Sequence, residues 1–245
     1  RRILRRIKNE GDSGVVHRLR GKVSKRKINE EYKNKILKKD DEKYEGFGPT
    51  LFAEKLYEIE QINISDETIR HWLIASNRWK RHRKREIQRH WRERKGYYGE
   101  MQQMDGSHHD WLEGRGPQMV LMAYIDDATS RVYCRFYEYE GTIPAMDSFW
   151  RYIAKYGLPL KVYLDKHTTY KSTGKATLEQ ELNGEEPKSQ FERALKELGV
   201  KVIHANSPQA KGRIERLFNT LQDRLVKELR LRGINTLEDA NKFLE

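Results

Sequence analysis

The chain has 245 residues, with 49 Lys and Arg against 37 Asp and Glu, a formal net charge of +12 and a mean hydropathy of −0.96. A hydrophobic share of 36% is low for one compact core, yet 5 Trp, 13 Tyr and 7 Phe exclude wholesale disorder. A single cysteine excludes a disulfide framework and a multi-thiolate zinc site, and fits a reducing compartment. The longest uncharged apolar stretch, Met119 to Ile125, is far short of the ~20 residues of a membrane span, and nothing reads as a signal peptide. The chain opens on Arg1 in helix-like sequence, which reads as a fragment.

The charge is unevenly spread. Residues 1–100 hold 28 basic and 16 acidic side chains, whereas residues 101–245 hold 21 of each, so the whole excess lies in the first part. It gathers in two runs, Arg1 to Lys27 and Arg78 to Lys95. Basic arms of this kind neutralise phosphates and release counterions, which favours nucleic acid over small neutral ligands. The candidate phosphate contacts are Arg18, Arg20, Lys22, Lys25 and Arg26 in the first run, and Arg78, Lys80, Arg81, Arg83, Lys84 and Arg85 in the second.

Between the runs, three helical patterns follow one another. Asn29 caps the first, with Glu30 and Glu31 in its first turn and a stripe of Ile28, Tyr32, Ile36 and Leu37. Pro49 suits the first position of the second, whose stripe is Leu51, Phe52, Leu56 and Ile59. After a short turn Ser65 caps the third, which buries Ile69, Trp72 and Leu73 and stops near Asn77. Three short helices, the last two joined by a tight turn, make a helix-turn-helix pattern with the third helix as reader of the major groove. Its outward face carries Thr68, Arg70, His71 and Ser76.

The periodicity then changes. Met101 to Trp111, Met119 to Ile125 and Arg131 to Tyr139 read as strands, with Asp126 to Ser130 as the turn between the last two. Ile143 to Tyr156 reads as a helix with Phe149, Trp150 and Ile153 inward; Leu160 to Leu164 as a strand; Phe191 to Leu198 as a helix; Val200 to His204 as a strand. A long helix follows from Ser207-Pro208 to about Arg232, with Ile214, Leu217, Phe218, Leu221, Leu225 and Leu229 on one face. Three strands followed by alternating helices and strands imply a mixed five-stranded sheet covered by helices. The polar stretch from Lys166 to Ser189 reads as an inserted loop.

Three acids stand out by position. Asp105 lies in the first strand, Asp165 closes the fourth, and Glu215 sits early in the long helix at the margin of its apolar stripe. Carboxylates converging at strand ends suit hard divalent cations, which take oxygen ligands and complete their shells with phosphate oxygens; surface acids and helix caps are the alternative. Asp126 and Asp127 read as turn formers, and strand alternation aims Asp110 away from Asp105. His167, two residues past Asp165, is a candidate for contacting phosphate, as are Lys211, one turn before Glu215, and Arg213 beside it. His108 and His109 read equally as ligands or as core residues.

The stretches 104–111 (MDGSHHDW), 124–130 (YIDDATS), 164–167 (LDKH) and 205–216 (ANSPQAKGRIER) resemble bacterial insertion-sequence transposases of the DDE transposase and retroviral integrase superfamily, most of all the ISNCY group. The resemblance runs from about residue 28 to the end, with four motifs in the family's order. It implies a ribonuclease-H-like catalytic core, with Asp105, Asp165 and Glu215 as the acidic triad that binds two Mg²⁺, for which Mn²⁺ substitutes. It implies helix-turn-helix modules that read terminal inverted repeats, double-stranded DNA of transposon ends and target as partner, a homodimer or larger assembly on that DNA, and a bacterial cytoplasmic location away from membranes. The 50 residues between Asp165 and Glu215 exceed the retroviral integrase spacing because of the insertion at about 168–190.

The domain organisation expected from these readings is as follows. Residues 1–27 are the end of an upstream helix-turn-helix and a basic arm, 28–78 a helix-turn-helix domain, and 79–100 a basic linker. Residues 101–232 are the catalytic domain, and 233–245 start a C-terminal region. The function expected is that of a DNA transposase performing 3′-end cleavage and strand transfer. A non-catalytic DNA-bridging relative and a ribonuclease-H-like nuclease are the other classes open.

Overall fold

The computed structural model describes residues 2–17, 19–22, 27–80, 93–166, 169–171, 187–205 and 211–245. The chain divides into two units, residues 1–83 and 84–245.

The first unit holds four α-helices among its described residues: α1 (Arg2–Glu10), α2 (Glu30–Lys43), α3 (Pro49–Glu60) and α4 (Asp66–Ala75). A 3₁₀ turn, Gly11–Val15, folds back on α1. There a Cβ on Gly14 would stand 2.6 Å from the Arg6 backbone, so only glycine fits. The three later helices start as their sequences dictate. Asn29 accepts from the Glu31 N–H, Pro49 opens α3, and Ser65 accepts from the Thr68 N–H.

Their shared core is Ile36, Leu37, Tyr44, Phe47, Leu51, Phe52, Leu56, Ile69 and Leu73, each fully buried aliphatic or aromatic side chain contributing about 1.5–3 kcal/mol. Ile28, Tyr32 and Ile59 continue the apolar stripes in sequence but are exposed. Ile28 precedes α2, Tyr32 lies in its first turn and Ile59 in the last turn of α3. Trp72 is half-buried. Polar ties close the bundle: Glu60 on α3 receives Lys39 at 2.7 Å and Lys43 at 3.4 Å from α2, and Arg78 grips Asp41 through two nitrogens at 2.9 and 2.7 Å. Burial pushes the neighbouring Asp40 carboxyl up to about 6 against the pull of Arg78.

The second unit is a mixed sheet between helices. Its strands are β1 (Gln102–His109), β2 (Met119–Asp126), β3 (Val132–Tyr137), β4 (Lys161–Leu164) and β5 (Lys201–His204), in the order β3-β2-β1-β4-β5. The first three form an antiparallel meander; β4 joins β1, and β5 joins β4, in parallel. The described helices are α5 (Thr142–Tyr156), α6 (Gln190–Glu197), α7 (Gly212–Leu231) and α8 (Leu237–Leu244).

Strand β2 is buried along all eight residues, as a strand covered on both faces must be. Its alternation feeds two cores. Val120, Met122 and Tyr124 pack with Met104, Phe149 and Tyr152 of α5, and Phe191 and Leu195 of α6. Met119, Leu121, Ala123 and Ile125 pack with Trp111, Phe136, Ile214, Phe218, Leu225 and Leu229, the last four from α7. Tyr124 stacks on Tyr152 at 5.0 Å between ring centroids and its hydroxyl meets Ser148 Oγ at 2.7 Å.

Two expectations are corrected. Trp150 is 62% exposed: Phe149 and Tyr152 fill the inward face of α5, which leaves Trp150 on the outer side. Tyr170, in the stretch read as a polar loop, is fully buried in the core with Phe149 and Phe191. The tail beyond residue 232 forms α8, whose Asn241 side chain both donates to the Phe136 carbonyl at 3.0 Å and accepts from its N–H at 2.8 Å, closing off the edge strand β3.

Candidate active site

The parallel ladder of β1 and β4 sets Gln102 beside Val162 and Gln103 beside Tyr163. Asp105 and Asp165 each lie two residues beyond the last of these pairs, so the alternation carries both to equivalent positions where the strands part. This is the carboxyl end of adjacent parallel strands, where open sheets collect ligands. Odd-numbered β1 residues face α7: Ser107 Oγ accepts from Gln222 there at 3.1 Å. Asp105 therefore looks toward the start of that helix.

The N-cap of α7 is Lys211. Its ammonium lies 2.8 Å from Asp105 Oδ1 and 3.6 Å from Asp165 Oδ2. The Lys211 side chain is only 6% exposed, against 20% for Asp105 and 39% for Asp165. Burial pushes the Asp105 carboxyl up to about 6; Lys211 pulls it down, while the charges of Asp165 and Glu140 add to the rise. Two carboxylates thus share one buried cation. Glu215, one turn further along α7, is half-buried and does not join them: among the described residues no group of three or more His, Cys, Asp or Glu is arranged to hold a metal ion. Three bare carboxylates would repel one another, and an ammonium between two of them relieves that repulsion.

The donor set nonetheless fits a hard cation. It consists of carboxylate oxygens converging on a point that a positive group already fills.

The competing acids have structural tasks. Asp126 is buried and accepts from Gly99 N, Gln102 Nε2, Thr129 N and Thr129 Oγ1, holding the turn after β2. Asp127, also buried, accepts from Lys95 N and Gln103 Nε2 and pairs with Arg213 at 3.4 Å. Asp110 accepts from Gly114 N in the turn after β1. His109 packs edge-on against Trp111, and His108 pairs with Glu140 at 3.0 Å.

The candidate nucleic-acid contacts fare unequally. Arg213 is engaged with Asp127 and with Ser130 Oγ at 3.2 Å, and Arg78 with Asp41, so both serve as internal ties. Arg70 binds Glu67 at 2.8 Å and Asp66 at 3.4 Å within its own helix, His71 also meets Glu67, and Thr68 Oγ1 meets Ser65 Oγ. Arg20, Lys22 and Lys80 are exposed. Arg18, Lys25, Arg26, Arg81, Arg83, Lys84, Arg85 and His167 lie outside the described residues.

Two features escape sequence reasoning. Glu140, in the segment between β3 and α5, is nearly buried against Gly106, where an added Cβ would stand 2.7 Å from its carboxyl carbon; it also accepts from the Tyr170 hydroxyl at 3.2 Å. His204, at the end of β5, joins Glu192 of α6 to the backbone of Asp165. Nothing in their local spacing signals either; only the strand order brings them near the acids.

A five-stranded mixed sheet with a three-strand meander, two parallel strands and helices on both faces, carrying paired acids at its parting strands, defines an integrase-type, ribonuclease-H-like domain. Comparison with known proteins agrees. Over its full length the chain is 38% identical to transposase y4bF of Sinorhizobium fredii (strain NBRC 101917 / NGR234), covering 52% of that protein. It is 32% identical to the transposase for insertion sequence IS1202 of Streptococcus pneumoniae, with 99% of the chain aligned to 59% of that protein. The chain is thus similar to these two bacterial transposases and spans between half and three-fifths of their length. Among solved structures, a chain of the simian T-cell lymphotropic virus intasome, in complex with PP2A regulatory subunit B56 gamma, superposes with a TM-score of 0.50 at 17% identity. That match covers 78% of this chain and 66% of that one. No family model matches.

Proposed function

We propose that this chain is the DNA-binding and catalytic part of a cytoplasmic transposase, one that cleaves the 3′ ends of its element and joins them to target DNA. The observation that carries the reading is the pair Asp105 and Asp165 around a buried cation at the parting strands of an integrase-type sheet. The sequence identity with two transposases directs it to DNA. Asp105, Asp165 and Glu215 would hold divalent cations, Mg²⁺ or Mn²⁺. These supply activation of a hydroxyl nucleophile and stabilisation of the leaving oxygen in an in-line displacement.

The protein's own part is positioning. Asp105 is fixed on a strand paired on both sides at its start, and Asp165 on the end of its parallel neighbour. Lys211, released from the two carboxylates, reaches the phosphate beside them. Two phosphoryl transfers follow at one site. Water attacks the phosphodiester at the transposon end and frees a 3′ hydroxyl, and that hydroxyl attacks a target phosphodiester, with the target 3′ oxygen leaving. Helices α2 to α4 form a helix-turn-helix whose α4 face reads the terminal repeat, and the exposed basic residues Arg20, Lys22 and Lys80 take phosphates. Joining two ends requires a dimer or larger assembly on the DNA.

The test is strand transfer on labelled transposon-end duplexes with Mg²⁺ or Mn²⁺, by the 245-residue chain and by a form extended at both ends. Wild type is run beside Asp105→Asn, Asp165→Asn and Glu215→Gln. Joined products that vanish in all three variants are expected, since each carboxylate would hold the divalent cations that neutralise charge in the transition state. Binding without chemistry in the extended form would favour a bridging protein instead. Activity that survives Glu215→Gln would remove that residue from the triad.

A further inference from the structure

Asp165 sits at the end of a four-residue strand, and its side chain is the more exposed of the two paired acids. What fixes it is not evident from β4 alone. Across the sheet, β5 lies parallel with Leu164 opposite His204, and Ala205 N–H donates to the Leu164 carbonyl at 2.8 Å. The His204 ring then bridges two elements. Its Nδ1 is 3.0 Å from the backbone carbonyl oxygen of Asp165, which can only accept, and its Nε2 is 2.7 Å from Glu192 Oε1. The His204 and Glu192 side chains are 19% and 13% exposed.

Glu192 is itself anchored. It occupies the third position of α6 and its Oε2 accepts from the Ser189 backbone N–H at 2.7 Å, while Ser189 Oγ accepts from Glu192 N–H at 3.2 Å, a reciprocal capping box. One carboxylate therefore does two things: one oxygen closes a helix and the other orients an imidazole. A carboxylate behind an imidazole, fixing the ring so that its far nitrogen meets a site residue, is the arrangement by which outer groups set the geometry of inner ones. A helix cap alone needs no histidine, and a strand end alone needs no carboxylate.

We infer that Glu192 and His204 are positioning residues for Asp165: the Glu192–His204 pair clamps the Asp165 carbonyl to α6 and so holds its carboxylate at the parting of β4 and β1. The inference rests on the proposed role of Asp165 as a cation ligand. Neither residue touches the reacting atoms.

The experiment uses the whole 245-residue chain and two readouts. The first is hydrogen exchange of the metal-free protein, followed at the amides of residues 161–166. The second is Mn²⁺ affinity by titration calorimetry. The variants are Glu192→Ala, Glu192→Gln, His204→Ala, Ser189→Ala and Asp165→Asn. Ser189→Ala removes one half of the capping box and leaves the His204 contact, so it reports the helix cap alone; should His204→Ala fail to fold, His204→Asn, which keeps one nitrogen donor, replaces it.

Glu192→Ala and His204→Ala are expected to speed exchange at 161–166 and weaken Mn²⁺ binding at least tenfold. Glu192→Gln, whose amide can still hydrogen-bond the ring, should stay within threefold of wild type, and Ser189→Ala should match wild type in both readouts. Exchange unchanged in Glu192→Ala and His204→Ala overturns the inference, as does an equal effect of Ser189→Ala, which would reduce Glu192 to a helix cap. Wild-type Mn²⁺ affinity in Asp165→Asn overturns the ligand role instead, and the exchange data then still decide whether the clamp exists.

Discussion

Replacing Lys211 by Met keeps the length and apolar stem of the side chain and removes only the ammonium between Asp105 and Asp165. At an effective dielectric of about 20, unit charges 2.8 Å apart attract by about 6 kcal/mol and those 3.6 Å apart by about 5 kcal/mol. Most of this is offset by the desolvation of the ammonium, and the Asp165 share is further reduced by solvent, since that side chain is 39% exposed. Breaking a buried pair by removing one partner costs about 3–5 kcal/mol, and uptake of a proton by Asp105 limits the loss to the lower end.

The sign with pH follows from Asp105. Its carboxyl is raised from 3.8 to about 6, so its contribution to stability is fully present below 3.8 and is lost as pH rises through about 6. In wild type that loss amounts to about 3 kcal/mol. Without Lys211 the carboxyl rises further, and the penalty widens at high pH. Thermal melts in chelator at pH 8 should show a midpoint about 6–12 °C below wild type, whereas at pH 5, where Asp105 is already largely protonated, the gap should shrink to about a third of that. Added Mg²⁺ should recover more of the midpoint in Lys211→Met than in wild type. A gap of about 1 °C at pH 8, or one of equal size at both pH values, would refute the account of Lys211 as the counter-ion of the pair.

Three further outcomes are expected. Gly116→Ala should destabilise by about 3 kcal/mol in denaturant unfolding, because the new Cβ collides with the Asn235 carbonyl oxygen, a backbone atom that cannot swing aside. Asn241→Ala should lose about 2–4 kcal/mol by orphaning the N–H and carbonyl of Phe136, read as a lower urea midpoint with an unchanged slope. Burial pushes the Cys134 thiol up to about 12, so the folded chain at pH 8 should react with a disulfide reagent at least about a hundredfold more slowly than the urea-unfolded chain.

Much of the fold could be read from the residues because local signals and tertiary demands coincide. The caps at Asn29 and Ser65, Pro49 at a helix start and the glycine stops after α5 and α6 each sit where the backbone needs them. The run Met119 to Ile125 is apolar throughout, and the strand it forms is covered on both faces. Asp165 stands out because it follows the short strand Lys161–Leu164, whereas Asp105 lies in the middle of a largely polar strand, and it is the register of β1 on β4 that brings the two together. Failures occurred where a tertiary partner decides. Trp150 looks like core by composition, but Phe149 and Tyr152 already fill the space under α5. Tyr170 was hidden by the polar residues around it. The ion pairs of Arg213 with Asp127 and of Arg78 with Asp41 join distant segments, so local spacing does not show them. Glu140 and His204 carry no local signature, and the capping box Ser189-x-x-Glu192 signals a helix start but not the contact of Glu192 with His204, which comes from the packing of α6 on β5.

The strand order also sets a sequence of events in time. The β1–β2–β3 meander closes through short connections, of the kind that hairpins complete in microseconds. The β1–β4 ladder must bring Gln102 to Val162 across 60 residues, and β5 and α7 come later still. Loop closure over such distances is the slow, entropy-limited part of folding. Asp105 is therefore held by the early half of the domain, whereas Asp165 and Lys211 arrive with the late half. The pair exists only where β4 has joined β1 across that distance, and Lys211 reaches it only with α7 in place.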